Sequence, residues 1–346
     1  MAMVTRMMIL LLIVLASVIV PTGAAPPASE QGMRAIYDQA TGHATLAEGE
    51  TPILVYNYKT VEIPDDLLDR VAPAAQKFAL PRSDYIHPLY GPQGEVLTDD
   101  WSPDHPHHRG IYWAWPEVDF EESRGDLHAL QQVFARPTGE IEVAASPKWG
   151  QIRAENVWRW EDETDIVHET VLLRAYPENQ QGRLIDLTLT FTALVDRVSI
   201  ARRETNHYGG LNFRFAALQQ LAISEQNDPP SATPCRSWAS LSGIPPSAKE
   251  RVTLTIIQRR DNPHYPGGWV AYPELPWLQP LFPADGERYQ LEKAKPLTLN
   301  YRLWIYRGQV ANTNQLDRQW NAYQVGDAPP ADQLDSPPSK TVLEGE

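Results

Sequence analysis

Hydrophobic and polar residues alternate along much of the chain, and this pattern predicts β-strands. In the segment RLIDLTLTFTAL (183–194), every second residue from Ile185 to Ala193 is apolar, and the residues between them are Asp and Thr. The segment LTLNYRLWIY (297–306) repeats the pattern. Such a period of two is typical of a strand with one buried face. Weaker versions of the pattern occur at 34–38, 52–58, 111–115, 151–160, 166–176, 211–216 and 252–258.

The order of these segments predicts the fold class. Strands follow strands, separated by stretches rich in Pro, Gly and Asn, which favours an all-β fold, a large antiparallel β-sandwich. One helix is predicted at 313–324, where apolar residues have helical spacing. No change of composition divides residues 30–325, so we predict one domain there. Residues 326–346 are rich in proline and acidic residues, which predicts a disordered tail.

The N-terminal segment has the pattern of a secretory signal peptide. One basic residue, Arg6, precedes an apolar run that ends near the small residues Ala24 and Ala25. The run is shorter than a membrane span requires. We therefore expect residues 1–24 to be removed and the mature protein to be secreted or periplasmic, without a membrane span. An uncleaved N-terminal anchor is the alternative.

Composition limits the classes of partner. The formal net charge is −14, and an acidic surface repels phosphate backbones, so we expect no nucleic-acid partner. Cys235 is the single cysteine, which leaves no internal disulfide. Stability must then come from the core, for which 42% hydrophobic residues and 11 tryptophans are available.

Candidate chemistry is concentrated in the segment DDWSPDHPHHRGIYWAW (99–115). It contains His105, His107 and His108, a third of the nine histidines in the chain, followed by Arg109. Imidazole titrates near neutral pH, so these histidines are candidates for acid/base catalysis. Arg109 offers a forked donor for a carboxylate or for sugar hydroxyls. The alternative is that His108 and Arg109 only order the loop, by pairing with Asp99, Asp100 or Asp104.

A metal site is a second interpretation of the same cluster. His105 and His107 would share one face of a strand and, with a carboxylate, would form a facial triad. Pro106 between them suits a loop better than a strand, and the first carboxylate downstream, Glu117, is distant. We therefore predict acid/base and sugar-contacting roles, with no metal and no other cofactor. Convergence of histidines from separate loops as ligands, His207 included, stays open.

A second histidine lies in the segment RETNHYGGLNFRF (203–215). Asn206, His207 and Tyr208 precede a Gly-Gly turn and a predicted strand, which would place His207 at the mouth of a sheet. Catalysis at one carbon requires both histidine groups near the same substrate. We therefore predict that His207 lies within a few ångströms of the 105–108 cluster, with Asn206 and Tyr208 contacting the substrate.

Aromatic residues near both segments are candidates for contacts with a sugar. Trp113 follows the histidine cluster, His87 precedes it, and the loop at 262–277 contains two tyrosines and two tryptophans. The alternative is that most tryptophans of a sandwich belong to its core.

Four segments carry a resemblance to a known family. The segments YIHPLYGPQGEVLTDDWSPDHPHHRGIYWAW, YGGLNFRF, SWASLSG and NPHYPGGWVAYPELPWLQPLF cover roughly 80–305 in order. Together they resemble an exported bacterial family labelled "methane oxygenase PmoA", better described as a family of unknown function. The methane monooxygenase subunit of that name spans the membrane several times, whereas this chain has no apolar segment of that kind after its signal. Methane oxidation is therefore set aside.

A second resemblance concerns the segment TNHYGGLNF (205–213), which is similar to galactose mutarotases (aldose 1-epimerases). It implies a mutarotase-like super-sandwich in which His207 is the general acid and the 105–108 cluster contacts the substrate. A Gly-Gly pair interrupts the motif here, and the base is not placed, with Glu274 and Glu287 as candidates.

These observations predict an exported carbohydrate-active protein with a saccharide as its partner. As an enzyme it would use histidine acid/base chemistry for epimerisation, glycoside cleavage or elimination. A non-catalytic glycan-binding module and a histidine-ligated, metal-dependent oxidoreductase are the alternatives.

Overall fold

A computed structural model describes residues 32–326, so the predicted signal peptide and all but the first residue of the predicted tail lie outside the described residues. Strands dominate this part of the chain. The strands are β1 Met33–Asp38, β2 His43–Glu48, β3 Thr51–Asn57, β4 Tyr85–Leu89, β5 Ile111–Ala114, β6 Glu117–Phe120, β7 Ser123–Gly125, β8 Val133–Ser146, β9 Trp149–Trp160, β10 Thr164–Ala175, β11 Arg183–Ala193, β12 Val198–Ala201, β13 Gly210–Arg214, β14 Gln219–Asn227, β15 Ser237–Ile244, β16 Val252–Gln258, β17 Trp269–Tyr272, β18 Trp277–Pro280, β19 Arg288–Leu291 and β20 Leu297–Arg307. The α-helices are α1 Leu67–Arg70 and α2 Thr313–Val325.

The strands form two large sheets and one small sheet. The first large sheet has the order β1-β2-β3-β4-β5-β13-β18-β17, and the second has the order β14-β15-β16-β20-β11-β10-β9-β8. The small sheet has the order β19-β12-β6-β7. Neighbouring strands are antiparallel, as at β10–β11, β11–β20 and β5–β13. The predicted all-β class, a large antiparallel sandwich, is therefore confirmed.

One continuous apolar core joins residues of both large sheets. Strand β11 shows how alternation builds it, because Ile185, Leu187, Leu189 and Phe191 are all fully buried. Each such side chain contributes roughly 1.5–3 kcal/mol on burial. The polar residues between them pair across strands instead, as Thr188 does with Asn300. The alternation in the sequence therefore predicts the buried face of this strand correctly.

The predicted helix is also present and covers a second, smaller core. Leu316, Trp320 and Tyr323 of α2 are buried beside Trp304 of β20. The helix begins at the N-cap Asn312, whose side chain forms a reciprocal capping box with Gln315. None of the helices within residues 32–326 combines the length and the apolar character needed to cross a bilayer.

The register of the first large sheet determines which loops meet. Ile111, at the start of β5, pairs with Phe213, which in turn pairs with Leu278 near the start of β18. The loop that ends at Gly110 therefore lies beside Trp277. Gly110 has a positive φ of 55°, and a Cβ there would stand 2.1 Å from the main-chain oxygen of Ile86. Only glycine fits this close approach of the loop to β4.

Candidate functional site

The histidine segment forms a tight turn before β5. The main-chain N–H of His108 donates to the main-chain oxygen of His105 at 2.9 Å. Pro106 occupies the second position of this turn, where its fixed φ is favoured, and so lies in a loop as predicted. The turn brings the first and fourth side chains together, and the rings of His105 and His108 stack with centroids 4.7 Å apart.

A second tight loop, after β7, supplies another histidine. The main-chain N–H groups of Asp126 and Gln131 each donate to the other residue's oxygen at 2.7 Å, which closes the loop. The Asp126 side chain accepts a hydrogen bond of 2.8 Å from the main-chain N–H of Ala129. Aspartate commonly stabilises a turn in this way. Between these residues the loop presents His128, whose side chain is buried.

His128 meets the histidine turn to form a compact cluster. Its ring centroid lies 5.3 Å from that of His107 and 5.4 Å from that of His108, and those two rings are 4.4 Å apart. Each of the three residues offers one ring nitrogen, and these nitrogens all lie within 4.8 Å of one another. The Nε2 atom of His128 is 3.0 Å from the hydroxyl of Tyr112, which orients the ring.

Arg82 holds the two histidine loops together. Its guanidinium donates to the main-chain oxygens of His107 at 3.3 Å, Leu127 at 2.5 Å and His128 at 3.3 Å. The guanidinium also lies over the ring of Tyr112, 4.6 Å from its centroid. Because Arg82 is buried, these contacts are shielded from water and hold both loops in fixed positions.

Burial keeps the three clustered imidazoles neutral. Desolvation, followed by the nearby Arg82 guanidinium, lowers the pKa of His107 to about 3. Desolvation and then the neighbouring His107 lower the pKa of both His108 and His128 well below the usual range. At neutral pH each ring therefore carries one free lone pair, which is the form that accepts a hydrogen bond or ligates a metal.

The cluster lies in a cavity of about 690 Å³. An aromatic wall continues from the histidine turn, because Trp277 stacks on His108 with centroids 5.1 Å apart and Tyr272 stacks on Trp277 at 5.1 Å. With His105, these residues form a column of four stacked rings. The predicted substrate contact Tyr208 also lies here, its ring 5.1 Å from that of His128. Other residues lining the cavity include Phe78, Arg124, Asp126, Gln131, Gln132 and Arg203.

Two ionic contacts lie at the cavity. Arg203 donates to Asp126 at 2.6 Å. Burial raises the pKa of Asp126 from its ordinary value, although Arg203 opposes this shift. At the other side of the cavity, the Nδ1 atom of His105 lies 3.2 Å from a carboxylate oxygen of Asp104.

Asp104 stays ionised beside His105. Partial burial alone would raise its pKa, but Arg214 donates to both of its oxygens, at 2.8 and 2.9 Å, and the net pKa is below the ordinary value. The Asp104 carboxylate is therefore available to orient the His105 ring.

Two sequence-based predictions near the Gly-Gly turn are corrected by the structure. His207 is exposed, with its Nδ1 atom 3.8 Å from Glu204, and neither His207 nor the exposed Asn206 is among the residues of 32–326 that line the cavity. The chain turns so that Tyr208 faces inwards and its two predecessors face solvent. Consequently His128, and not His207, meets the histidine cluster. The two candidate bases, Glu274 and Glu287, are exposed and also lie outside the cavity lining.

Arg109 is a structural residue in this fold. It is fully buried, and its guanidinium donates to Asp100 and to the hydroxyl of Tyr85. It also lies over the ring of Trp101, 3.4 Å from the centroid. The predicted contact with substrate is therefore replaced by the alternative, in which the arginine orders the loop through an aspartate.

Trp113 and His87, two predicted sugar contacts, have side chains that contact other residues of the protein. Trp113 is buried in the core, and its indole N–H donates to Glu169 at 2.6 Å. His87 is half-buried on β4, with its Nδ1 atom 3.0 Å from the hydroxyl of Thr98. Neither side chain is part of the cavity lining found within residues 32–326. Both were predicted as sugar contacts, and in the structure they contact Glu169 and Thr98 instead.

Sequence reasoning missed His128 because nothing local marks it. It stands alone in the stretch GDLHALQQ, without a second histidine or a glycine-rich motif. The one relevant signal is Asp126, since an Asp two positions earlier predicts a turn that could present a side chain. Its partnership with the histidine turn depends on Arg82, a contact between distant parts of the chain.

This chain belongs to a family of unknown function, DUF6807, whose family model matches residues 43–321. No curated protein matches it.

Solved structures show only weak likeness to this chain. A heparan sulfate lyase HepC from Pedobacter heparinus has 10% identity and a TM-score of 0.36, with 82% of this chain and 36% of that chain covered. Polysaccharide Lyase BACCELL_00875 has 10% identity and a TM-score of 0.36, with 75% and 34% covered. A putative kojibiose phosphorylase from human microbiome has 8% identity and a TM-score of 0.31, with 66% and 25% covered. The chain thus spans about a quarter to a third of the length of these proteins. Similarity this weak does not indicate a shared activity.

Proposed function

We propose that this member of the DUF6807 family is an exported carbohydrate-active enzyme that binds a saccharide in the histidine cavity. The observation that carries the proposal is the column of stacked rings, which joins the histidine turn to an aromatic wall inside one cavity. Ligand sites combine such aromatic walls with a few placed polar groups. Export is proposed from the signal-peptide pattern of residues 1–24 alone.

The cavity offers two kinds of contact to a saccharide. The half-buried ring of Tyr272 supplies a flat apolar face for the C–H side of a sugar ring. The Arg203–Asp126 pair presents both donors and acceptors at the cavity wall, which suits hydroxyl groups. The aromatic ring therefore orients the sugar, and the ion pair fixes its hydroxyls.

Proton transfer is assigned to His105. The Asp104 carboxylate lies 3.2 Å from its Nδ1 atom, so the two residues are placed as in a histidine–aspartate pair, with Nε2 as the atom that exchanges a proton with the substrate. His107 is a poor base, because an imidazole with a pKa of about 3 binds protons weakly at neutral pH. Epimerisation, glycoside cleavage and elimination each require such a transfer.

The test separates binding from turnover. Purified protein is incubated with a panel of neutral and acidic oligosaccharides, with calorimetry to measure binding and mass spectrometry to detect products. We expect His105→Gln to lower turnover by about 100-fold or more while the dissociation constant stays within about threefold. His43→Gln, an exposed histidine on β2, is the matched control and should change neither quantity.

Other results would overturn the proposal in defined ways. Binding without products from any saccharide indicates a glycan-binding module in place of an enzyme. Unchanged turnover in His105→Gln removes His105 from the mechanism. Absence of binding across the whole panel contradicts the carbohydrate ligand itself.

A further inference from the structure

We infer that His107, His108 and His128 form a binding site for one divalent transition-metal ion of the zinc class. Three ring nitrogens, one from each residue, lie within 4.8 Å of one another. A tetrahedral zinc site with Zn–N bonds of about 2.0–2.1 Å places its nitrogens roughly 3.4 Å apart. Small rotations of the three rings therefore complete the site.

Unsatisfied nitrogen atoms point to the same conclusion. The Nδ1 atoms of His107 and His108 are buried and have no hydrogen-bond partner among the described residues. Buried polar atoms without a partner are costly and call for an explanation such as a bound ion. Two such atoms belong to adjacent histidines whose ring centroids lie 5.3 and 5.4 Å from that of His128, and one metal ion would explain both together.

The surroundings of His128 match those of a metal ligand. Its Nε2 atom contacts the hydroxyl of Tyr112 at 3.0 Å, so Nδ1 is the nitrogen left for an ion. Ligating histidines usually engage their second nitrogen with an outer partner, which fixes the ring. Arg82 fixes the main chain on both sides of the site through the oxygens of His107 and His128.

The donor set selects the class of ion. Within residues 32–326, the group contains three imidazoles and no carboxylate. The nearby acids are occupied elsewhere, Asp104 by Arg214 and Asp126 by Arg203. Three histidines suit zinc with an open fourth position, whereas the oxygen-rich sites of Mg²⁺ and Ca²⁺ and the two-histidine, one-carboxylate iron site require acids.

The fourth position opens on the cavity, because all three histidines line it. There the ion can bind water or one sugar hydroxyl. This use of the ion rests on the proposed function, whereas its binding can be measured without any saccharide. The inference reverses the preference drawn from sequence, which rested on Pro106 and on the distance to Glu117. Arg109 adds no free cation beside the site, because it pairs with Asp100.

The experiment measures zinc directly. Full-length protein, stripped with a chelator, is titrated with Zn²⁺ by calorimetry, and the Co²⁺-loaded protein is examined by visible absorption spectroscopy. We expect one equivalent of Zn²⁺ per chain and the intense visible bands of tetrahedral Co²⁺. His107→Ala and His128→Gln should each weaken zinc binding by more than about 100-fold, beyond the effect of outer residues. His43→Ala is the control and should retain full affinity.

Several results would overturn the inference. One is binding of less than one fifth of an equivalent by the wild-type protein. Another is zinc affinity that survives in His107→Ala or His128→Gln. If a variant fails to fold, the Co²⁺ spectrum of the wild-type protein tests the inference instead. The weak visible bands of octahedral Co²⁺ would contradict a tetrahedral site with three histidine ligands. If the protein binds zinc but none of the saccharides, only the proposed function is refuted. If it binds a saccharide but fails to bind zinc in the titration, only the metal site is refuted.

Discussion

The guanidinium of Arg82 donates a hydrogen bond of 3.3 Å to the main-chain oxygen of His128. The same group reaches the main-chain oxygens of Leu127 and His107, so one buried cation sets the distance between the two histidine loops. The geometry of the candidate site is therefore determined by a residue that does not itself line the cavity.

Replacement of this arginine should loosen the site. In Arg82→Lys, a single ammonium cannot reproduce the forked set of contacts to three oxygens. We expect zinc affinity to fall by about 10- to 100-fold. The free energy of unfolding should fall by about 1–3 kcal/mol, because buried carbonyls lose their donors. Calorimetry and chemical denaturation measure the two effects.

A matched control for this variant is Arg197→Lys, at an exposed ion pair with Glu121 of 3.6 Å. It should change neither quantity appreciably, since exposed pairs contribute little. If Arg82→Lys binds zinc with a dissociation constant within threefold of wild type, the loop-positioning role of Arg82 is wrong.

The aromatic wall supports a second prediction. Removal of the outermost ring in Tyr272→Ala should weaken saccharide binding by about 2- to 12-fold, the equivalent of about 0.5–1.5 kcal/mol for an aromatic contact. Tyr272→Phe keeps the ring and should retain the affinity. Calorimetry with a saccharide that binds the wild-type protein gives the comparison, and equal losses in both variants would show that the hydroxyl, and not the ring face, makes the contact.

A third prediction distinguishes the observed cluster from the mutarotase resemblance. Since His207 is exposed and lies outside the cavity lining, His207→Ala should change saccharide turnover and zinc affinity by less than about twofold. A fall in turnover of 100-fold would instead support the general-acid role that the resemblance implies, and would require the 203–209 loop to adopt another conformation.

The sequence predicts the strands where one face is buried and the other is not. Alternation identified β11 and β20, since each is central in its sheet. It missed the edge strands β8 and β14, and also β15, whose small residues give weak contrast between faces. It also missed β2 and the short strands, which are β4, β6, β7, β12, β17, β18 and β19. Edge strands expose more polar side chains, so period-two contrast fades there.

The candidate site was only half predictable for a related reason. The histidine turn is local, and Pro106 with its neighbours marks it in the sequence. The partnership with His128 depends on Arg82 and on the closed loop between Asp126 and Gln131. Arg109 was predicted to contact substrate, because the sequence of the turn does not show which side chains face the cavity and which are buried against other residues. Such contacts are set by tertiary structure, and spacing in the sequence does not encode them.

A last prediction concerns a buried pair of acids in the core. Glu169 is fully buried and accepts hydrogen bonds from Trp113 at 2.6 Å and Trp158 at 2.5 Å. Asp84 is also buried, accepting from Tyr56 at 2.6 Å. Desolvation, and then the charge of Asp84, raises the pKa of Glu169 well above its ordinary value. The folded protein therefore holds a proton on Glu169 up to a higher pH than the unfolded chain, which releases it near pH 4.3.

The sign of the pH dependence follows from this difference. A raised folded-state pKa contributes stability that is fully present below about pH 4.3 and is lost as the pH rises towards the folded-state pKa of Glu169. Between these limits this group should lower the free energy of unfolding by up to about 1.4 kcal/mol per pH unit.

In Glu169→Gln the group no longer titrates, so the stability of the variant should decline less steeply. The variant should be the less stable protein at pH 5, by about 1–3 kcal/mol, because its amide nitrogen faces an indole N–H. Urea unfolding of both proteins from pH 5 to pH 8 measures the difference between their free energies of unfolding, which should narrow as the pH rises. If the free energies of the two proteins instead change in parallel across this range, Glu169 is ionised in the folded protein.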